Sequence, residues 1–498
     1  MYFRGTRDPP GSTKRCTFDE VLLSNLASRG GIYLPEQVPT LSHSKLKALS
    51  TLPYGELCHQ LLSEFIEEDY MNRSDFSSRI FEEFDDPKEV IHVTKLQGGL
   101  NIAELYLGPT LAFKDLALSV LGNLVDSILE KKKKKAIVLV ATSGDTGSAA
   151  IHSVKKMANA DIIVLYPKGR CTHVQELQMT TVQSPNVHVF AVEGTSDDLD
   201  EVMLAVISDS AFAEEHGLLI FNSINVGRIL GQIPMYFCAY YHLCNIETME
   251  PLEVVVPTGG CGSIAAGTIA AKMGLPIKIV ACTNKNDVVT RCIQNADFSK
   301  QPYVYHTYAS AMDIQCPYNM ERIFHLFCEG DGDLVQDVMG AFESQGKIVI
   351  PPHVHASMND VIHNYPFTFF QIVESYSVSD EEILKTMRRC WDENSYAICP
   401  HTSTAVSFHF AHRKAGFSKF QASIFVHCSP TIRRVVLATA SLVKFPEVSQ
   451  ACGIPVPSHP RVDALPRVSP QVPIMKEGDD WGALLRQKIM EIKKLRWN

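Results

Sequence analysis

Three stretches of this sequence carry residue types that could do chemistry. The first is Thr110-Leu-Ala-Phe-Lys114-Asp-Leu-Ala-Leu-Ser, where a lysine enters a helical pattern whose other positions (Phe113, Leu116, Leu118, Val120, Leu121, Leu124) are nearly all apolar. Poor solvation and the positive end of a helix dipole both disfavour an ammonium, so Lys114 reads as a neutral, nucleophilic amine. The competing reading is a lysine that snorkels out of the fold, paired with Asp115. The second stretch is Val140-Ala-Thr-Ser143-Gly144-Asp145-Thr146-Gly-Ser-Ala-Ala. A strand there meets a Gly-rich turn that opens a small-residue helix, which aims backbone N–H groups at an anion, with Ser143 and Thr146 adding hydroxyl donors. An ordinary strand-to-helix turn with a Ser/Thr cap has the same pattern. The third is Val256-Pro-Thr258-Gly259-Gly260-Cys261-Gly262-Ser263-Ile-Ala-Ala-Gly, a second strand-to-helix anion cradle.

That third loop also satisfies Gly-x-Gly-x-x-Ala (Gly260, Gly262, Ala265), with Asp287 about twenty residues on, which spells a weak nicotinamide-dinucleotide fingerprint. An NAD-dependent oxidoreductase is therefore an alternative class. His353-x-His355 could offer two metal ligands, but its flanking prolines and lack of a nearby acid favour a loop. His427 and Cys428 end an apolar run without a third catalytic group. Glu321 and Arg322 read as an internal ion pair or, alternatively, as a phosphate-facing arginine. Lys131–Lys135 is the single low-complexity tract and reads as a solvated helix end, where cations suit the dipole.

The elements that must position these residues follow from patterning. Thr17 and Glu20 form a capping-box pattern for a short helix ending near Gly30-Gly31, and another helical pattern begins at Tyr54, so residues 1–90 read as a mainly helical unit. From about 91, short apolar β-branched runs alternate with helical stretches such as 148–158 and 225–242. The runs are 136–141, 161–166, 187–192, 218–221, 254–256, 277–282 and 423–426. Nearly continuous apolar strands mean helices on both faces of a parallel sheet, so residues 91–448 are α/β, in two lobes, followed by a C-terminal segment 449–498.

The chain has 498 residues, 45% hydrophobic and 20% charged, with a net charge of -9, which excludes disorder and the global basic field of a nucleic-acid binder. No uncharged run would span a bilayer, and the first residues lack a signal-like apolar stretch. Arginines near the N-terminus hint faintly at a mitochondrial leader, but Asp8 and the two prolines oppose it. Fourteen cysteines without one CxxC read as reduced, buried thiols, in a soluble intracellular, cytoplasmic protein.

In order and content these motifs resemble the threonine synthase family, enzymes of pyridoxal-phosphate fold type II. The segments are Phe-Lys114-Asp, Thr-Ser143-Gly-Asp-Thr-Gly, Pro-Thr-Gly-x-x-Gly, Asn222-Ser-Ile-Asn225 with Arg228, Ser310-Ala-Met-Asp-Ile, Asn319-Met-Glu-Arg322, Cys399-Pro-His401-Thr, and Ala438-Thr439-Ala-Ser with Lys444-Phe-Pro. Thr6-Arg7 and Gly-Gly-Ile-Tyr-Leu-Pro at 30–35 fit as well, so the resemblance covers nearly the whole chain. Gln175-Glu-Leu-Gln-Met-Thr-Thr, Pro317-Tyr-Asn-Met-Glu-Arg and Arg389-Cys-Trp-Asp-Glu-Asn are similar to the branch called threonine synthase-like 2, regarded as phospho-lyases.

The resemblance implies that Lys114 forms the Schiff base with pyridoxal 5'-phosphate, that Gly259, Gly260, Cys261, Gly262 and Ser263 hold its phosphate, and that Thr439 meets the pyridine nitrogen. It implies that Ser143, Gly144, Asp145 and Thr146 take the substrate carboxylate and that Asn225 and Arg228 take the substrate phosphate. The partner is then a small phosphorylated hydroxyamino acid. Many threonine synthases read Gly-Asn-Phe-Gly-Asn in the cofactor loop; here Gly260 and Ser263 stand where those asparagines would be, and backbone donation survives the change. The implied reaction is phosphate elimination from O-phosphohomoserine or O-phosphothreonine to 2-oxobutyrate and ammonia. Threonine formation by added water is the alternative, and a cofactor-binding protein without catalysis a third.

Overall fold

The computed structural model describes residues 1–71, 79–359, 372–412 and 432–497. Two sheets carry the site. The smaller has the strand order 474–475, 187–192, 160–167, 136–141, 218–220, all parallel. The larger has the order 372–377, 277–283, 252–257, 433–438, 101–104, 92–95, parallel except for the last strand, which runs antiparallel to its neighbour. Strands 136–141, 160–167 and 252–257 are buried along their whole length, because helices lie on both faces. The parallel arrangement puts the C-terminal ends of the central strands of each sheet on one edge, where ligands of open α/β sheets bind.

The first ninety residues combine an antiparallel pair, Phe3–Gly5 with Tyr33–Pro35, and the helices Phe18–Leu22, His43–Leu49 and Tyr54–Leu62. Phe3, Phe18, Leu57 and Phe65 share one continuous buried cluster with Leu116, Leu121 and Ile229 of the α/β region. At the other end, helix Trp481–Arg496 packs on helix Ser196–Ser208 and brings Leu485, Ile489 and Ile492 into one buried cluster with Ile137 and Ile163 of the smaller sheet, while Ile474 and Met475 extend that sheet beside Ala191 and Val192.

Several elements differ from the sequence expectation. The first helix stops at Leu22 rather than near Gly30, because the Asn25 side chain donates to Leu218 O (2.8 Å) and accepts from Ile220 N (2.9 Å), drawing the chain onto a strand edge. The pattern 225–242 is two helices, Val226–Leu230 and Ile233–Leu243; Gly231 between them lies against the Ala117 backbone. His353 and His355 sit on helix Pro352–Asn359 rather than a loop, and His355 Nε2 meets Ile293 O at 2.8 Å. The expected strand 423–426, His427 and Cys428 lie outside the described residues. Lys131 and Lys132 close helix Lys114–Lys132, paired with Asp69 and Asp19. Among the described residues, thirteen cysteines are all free, no group of side chains could hold a metal, and no helix is long and apolar enough to cross a membrane.

Candidate active site

Four strand ends converge on one cleft. Strand 136–141 runs into Thr142-Ser143, strand 218–220 into Asn222-Ser223, strand 252–257 into Thr258–Ser263, and strand 433–438 into Thr439; all of these residues line the cleft together with Lys114, Arg228, Gln232 and His401.

Lys114 is the first residue of its helix, and its place is fixed by backbone pairing. Phe113 N donates to Thr439 O (2.8 Å) and Ser441 N to Leu111 O (3.1 Å), so the 111–114 segment lies along 439–441. Asp115, the partner expected of a snorkelling lysine, instead accepts from Thr110 N (2.8 Å) and Thr110 Oγ1 (2.6 Å). Lys114 Nζ turns inward to Asp145 Oδ2 at 3.3 Å. Burial draws its ammonium below the ordinary lysine range, and Lys444 and Arg228 add repulsion that Asp145 opposes.

The Ser143–Thr146 turn divides its labour. Thr142 Oγ1 accepts from the N–H groups of Gly144 and Gly147 (3.0 Å each), which folds the turn, and Gly144 has φ 131°. A Cβ there would lie 2.6 Å from Gln175 Cδ, so glycine is required by both conformation and space. Ser143 and Thr146 face the cleft; Gly144 and Asp145 are not part of its lining. Asp145, expected among the groups that take the substrate carboxylate, is 2% exposed and accepts from Lys114, from Lys444 Nζ (2.8 Å) and from Gln175 Nε2 (2.9 Å). Burial alone would raise its carboxyl, but Lys444 and Lys114 outweigh it and hold it well below the usual carboxylate range. An anion facing two lysines is an acceptor for cations, not for a carboxylate.

The glycine loop runs from Gly259 to helix Gly262–Lys272, with Cys261 in the left-handed region (φ 60°) as N-cap. Asn319 Nδ2 holds it from outside, donating to Gly260 O (2.8 Å) and Ser223 Oγ (2.9 Å). Tyr236 OH lies 2.9 Å from Ser263 Oγ. Arg322 makes neither of the contacts expected of it. It is fully buried and donates to Tyr33 O (2.9 Å), Ser223 O (2.7 Å), Ile224 O (2.5 Å) and Asn319 Oδ1 (2.5 Å), with burial pushing it down to about 9. Glu321 pairs instead with Arg7.

Arg228 and Asn225 separate. Arg228 lines the cleft, gives NH1 to Phe221 O (2.8 Å), and is pushed by burial to about 10. Asn225 does not line it: its amide donates to Leu22 O (3.3 Å) and Ile220 O (3.1 Å) and its oxygen caps Gly227 N (2.9 Å), which spends its polar atoms on the helix start. Asp287, the acid of the dinucleotide fingerprint, is held by Arg291 Nε (2.9 Å) and Gln301 Nε2 (3.2 Å).

Among the described residues, Thr439 Oγ1, His401 Nδ1, Arg228 Nε, Asn222 Oδ1 and Gln232 Oε1 are buried in this cleft without a hydrogen-bond partner. Orphaned buried polar atoms are rare, and five around one cleft mark a place built for a polar ligand. His401 Nε2 accepts from Ala311 N at 3.0 Å, and burial pushes the ring down to about 4, so the neutral tautomer carries its proton on Nδ1. Lys444, His401, Gln175 and Asn222 were not singled out for a role by the sequence; they stood within the motifs Lys444-Phe-Pro, Cys399-Pro-His401-Thr, Gln175-Glu-Leu-Gln-Met and Asn222-Ser-Ile, which gave no sign of where their side chains point.

Comparison with known proteins gives two family matches: "Threonine synthase N terminus" over residues 2–83 and "Pyridoxal-phosphate dependent enzyme" over residues 92–338. The chain is 44% identical to "Threonine synthase-like 2" of Rattus norvegicus, over 100% of this chain and 98% of that one. It is 32% identical to "Threonine synthase" of Pseudomonas aeruginosa, over 89% of each. Among solved structures, pyridoxal-phosphate-bound threonine synthase from Brucella melitensis superposes with a TM-score of 0.83 at 28% identity, over 99% of each chain. The yeast enzyme gives 0.81 at 27%, over 100% of this chain and 98% of that one.

Proposed function

This chain belongs to the threonine synthase family, pyridoxal-phosphate-dependent enzymes of fold type II, and on that premise we propose that it is a phospho-lyase. It converts O-phosphohomoserine or O-phosphothreonine, with one water, to 2-oxobutyrate, ammonia and phosphate. The observation that carries this reading is the convergence of the Lys114 amine, the glycine loop, the unpartnered Thr439 hydroxyl and the open edge of Arg228 on one cleft.

The residues present fit pyridoxal 5'-phosphate. Lys114 Nζ would hold its aldehyde carbon, the backbone N–H groups of Gly259–Ser263 at the start of helix Gly262–Lys272 would receive its phosphate, and the unpartnered Thr439 Oγ1 would meet its pyridine nitrogen. The bound cofactor supplies an electron sink for the pair left on the substrate Cα. Ser143 and Thr146 bind the substrate carboxylate, and Arg228 pairs with the substrate phosphate, which it meets already desolvated. Lys114, kept poorly solvated, would take the Cα proton. For O-phosphohomoserine it would pass that proton to the substrate phosphate and then take a Cβ proton. Phosphate would leave Cγ with the bonding pair and the first proton, the second proton would return to Cγ, and one water would hydrolyse the released enamine to 2-oxobutyrate and ammonia.

The lyase outcome is supported by the higher identity with the threonine synthase-like 2 relatives and by a cofactor loop without side-chain amides at Gly260 and Ser263. The second reading, water addition to give threonine, is favoured by the overlap with solved threonine synthases. Incubation with O-phosphohomoserine, scoring phosphate, 2-oxobutyrate and threonine together, decides. One 2-oxobutyrate per phosphate supports the lyase, and one threonine per phosphate the synthase. A cofactor-loaded protein that releases no phosphate from either substrate overturns both.

A further inference from the structure

Lys444 is a second lysine in the site, and nothing in the reaction above uses it. Its side chain is 0% exposed, deeper than Lys114 at 12%, and its Nζ donates to Asp145 Oδ1 (2.8 Å) and Thr110 O (2.9 Å). Gln175 Nε2 adds a neutral donor to the same Oδ1 (2.9 Å), leaving Oδ2 to Lys114 (3.3 Å). The backbone holds this geometry: Thr172 Oγ1 donates to Lys444 O (2.6 Å), tying the helix of Gln175 to the Lys444 turn.

We propose that Lys444 is a positioning residue that neutralises Asp145, so that the carboxylate orients the Lys114 amine without fixing it as an ammonium. This rests on Lys114 being the amine that carries the cofactor. A lone buried carboxylate beside Lys114 would stabilise the charged lysine and cost the enzyme its base. A lone Lys444 would repel the protonated form and leave the amine without an acceptor. Together they present a net charge of zero and a fixed acceptor oxygen. Asp115 also faces Lys444, from helix Lys114–Lys132; burial raises its carboxyl to about 6, Thr110 holds it, and every variant below retains it. His401 on helix Pro400–Ala411 is neutral, Cys171 and Cys399 are buried thiols raised by burial, and Arg228 faces Lys114 from helix Val226–Leu230. Removing one member of the pair must therefore move Lys114 in a direction set by the charge that remains.

The test is a charge cycle on the full-length, cofactor-loaded protein, read by the pH titration of the cofactor's visible absorbance and by the acid limb of kcat/KM. Lys444→Met leaves Asp145 uncompensated, so both midpoints rise by about 1–3 pH units. Asp145→Asn leaves Lys444 uncompensated, and both fall. The double variant Lys444→Met/Asp145→Asn has neither charge and returns to within about half a unit of the starting protein. It also leaves neither member of the Lys444–Asp145 pair buried without the other, so it remains measurable where a single variant fails to fold. Midpoints unmoved in a folded Lys444→Met, or a double variant displaced by a full unit or more, overturn the proposal. Borohydride trapping of the cofactor on a residue other than Lys114 overturns the reading beneath it instead, which keeps the two failures distinct.

Discussion

Arg7 and Glu321 meet at 2.8 Å with side chains 5% and 4% exposed, joining the turn after the opening strand Phe3–Gly5 to helix Met320–Phe327. The neighbour of Glu321, Arg322, holds Asn319 Oδ1, and Asn319 Nδ2 holds Gly260 O, so the N-terminal unit is linked through two side chains to the glycine loop. Thr6 Oγ1 also donates to Glu321, and Arg7 reaches Glu343. Arg7→Met leaves the Glu321 carboxylate buried without its cation, at a cost of about 3–5 kcal/mol. In Arg7→Met/Glu321→Gln the buried charge is gone, and the loss is smaller than the sum of the single variants. Urea unfolding of the three variants checks this; strictly additive losses would contradict it. Cofactor affinity, by equilibrium dialysis, falls in Arg7→Met as the clamp on Gly260 loosens.

Lys114→Ala tests the amine itself. Asp145 keeps Lys444 and Gln175 as partners, so the fold persists and the variant is soluble and cooperative in urea. The visible absorbance of the bound cofactor is lost, borohydride fixes none to the chain, and phosphate release falls by about 10²–10⁴-fold or more. An unchanged spectrum in that variant would remove the assignment.

Much of this site was legible because its parts obey local rules. A lysine on an apolar helix start and two strand–glycine–helix turns stand out from residue types and spacing alone. The role of Lys444 was not legible: Thr110, whose carbonyl its Nζ meets, is 334 residues away in sequence, and a lysine before Phe-Pro looks like any surface lysine. Strand Arg433–Ala438 was missed because it opens with two arginines. Arg434 is accommodated by pairing with Glu253 and lying over the Phe408 ring at 4.9 Å, neither of which is a neighbour in sequence. Asn225 misled in the opposite sense, since a polar residue in a functional motif was serving the helix beside the site rather than the site.

The buried histidines set an acid limit on stability. Burial pushes His401 and His325 down to about 4. Their unfolded forms titrate near 6.5, so between about 6.5 and about 4 the unfolded state binds more protons than the native one. The stability that these histidines contribute is therefore complete above about pH 6.5 and falls as pH drops to about 4, by ~3 kcal/mol for His401 alone, while the buried carboxyls of Asp115 and Asp313, raised to about 6, act in the opposite sense. Urea midpoints measured at pH 7.5, 6 and 5 on the starting protein and on His401→Gln isolate the histidine share. His401→Gln, which keeps an acceptor for Ala311 N, makes the dependence shallower; an equally steep profile in that variant would place the loss elsewhere.

Arg228 and Asn225 predict opposite kinds of damage. Arg228 spends NH1 on Phe221 O, and its Nε has no partner, so its guanidinium retains donors for an anion in the cleft. Loss of a charged hydrogen bond is worth about 1.5–3 kcal/mol, a factor of about 10–150 in binding. Arg228→Gln therefore raises KM for O-phosphohomoserine by that factor and removes competition by inorganic phosphate, with a smaller change in kcat. Asn225→Ala takes away the cap on Gly227 N and two bonds to backbone carbonyls, so it lowers unfolding stability by about 0.5–2 kcal/mol and leaves KM close to the starting value. Steady-state kinetics and urea unfolding on both variants separate the roles. A larger KM change in Asn225→Ala than in Arg228→Gln would return the phosphate to the asparagine.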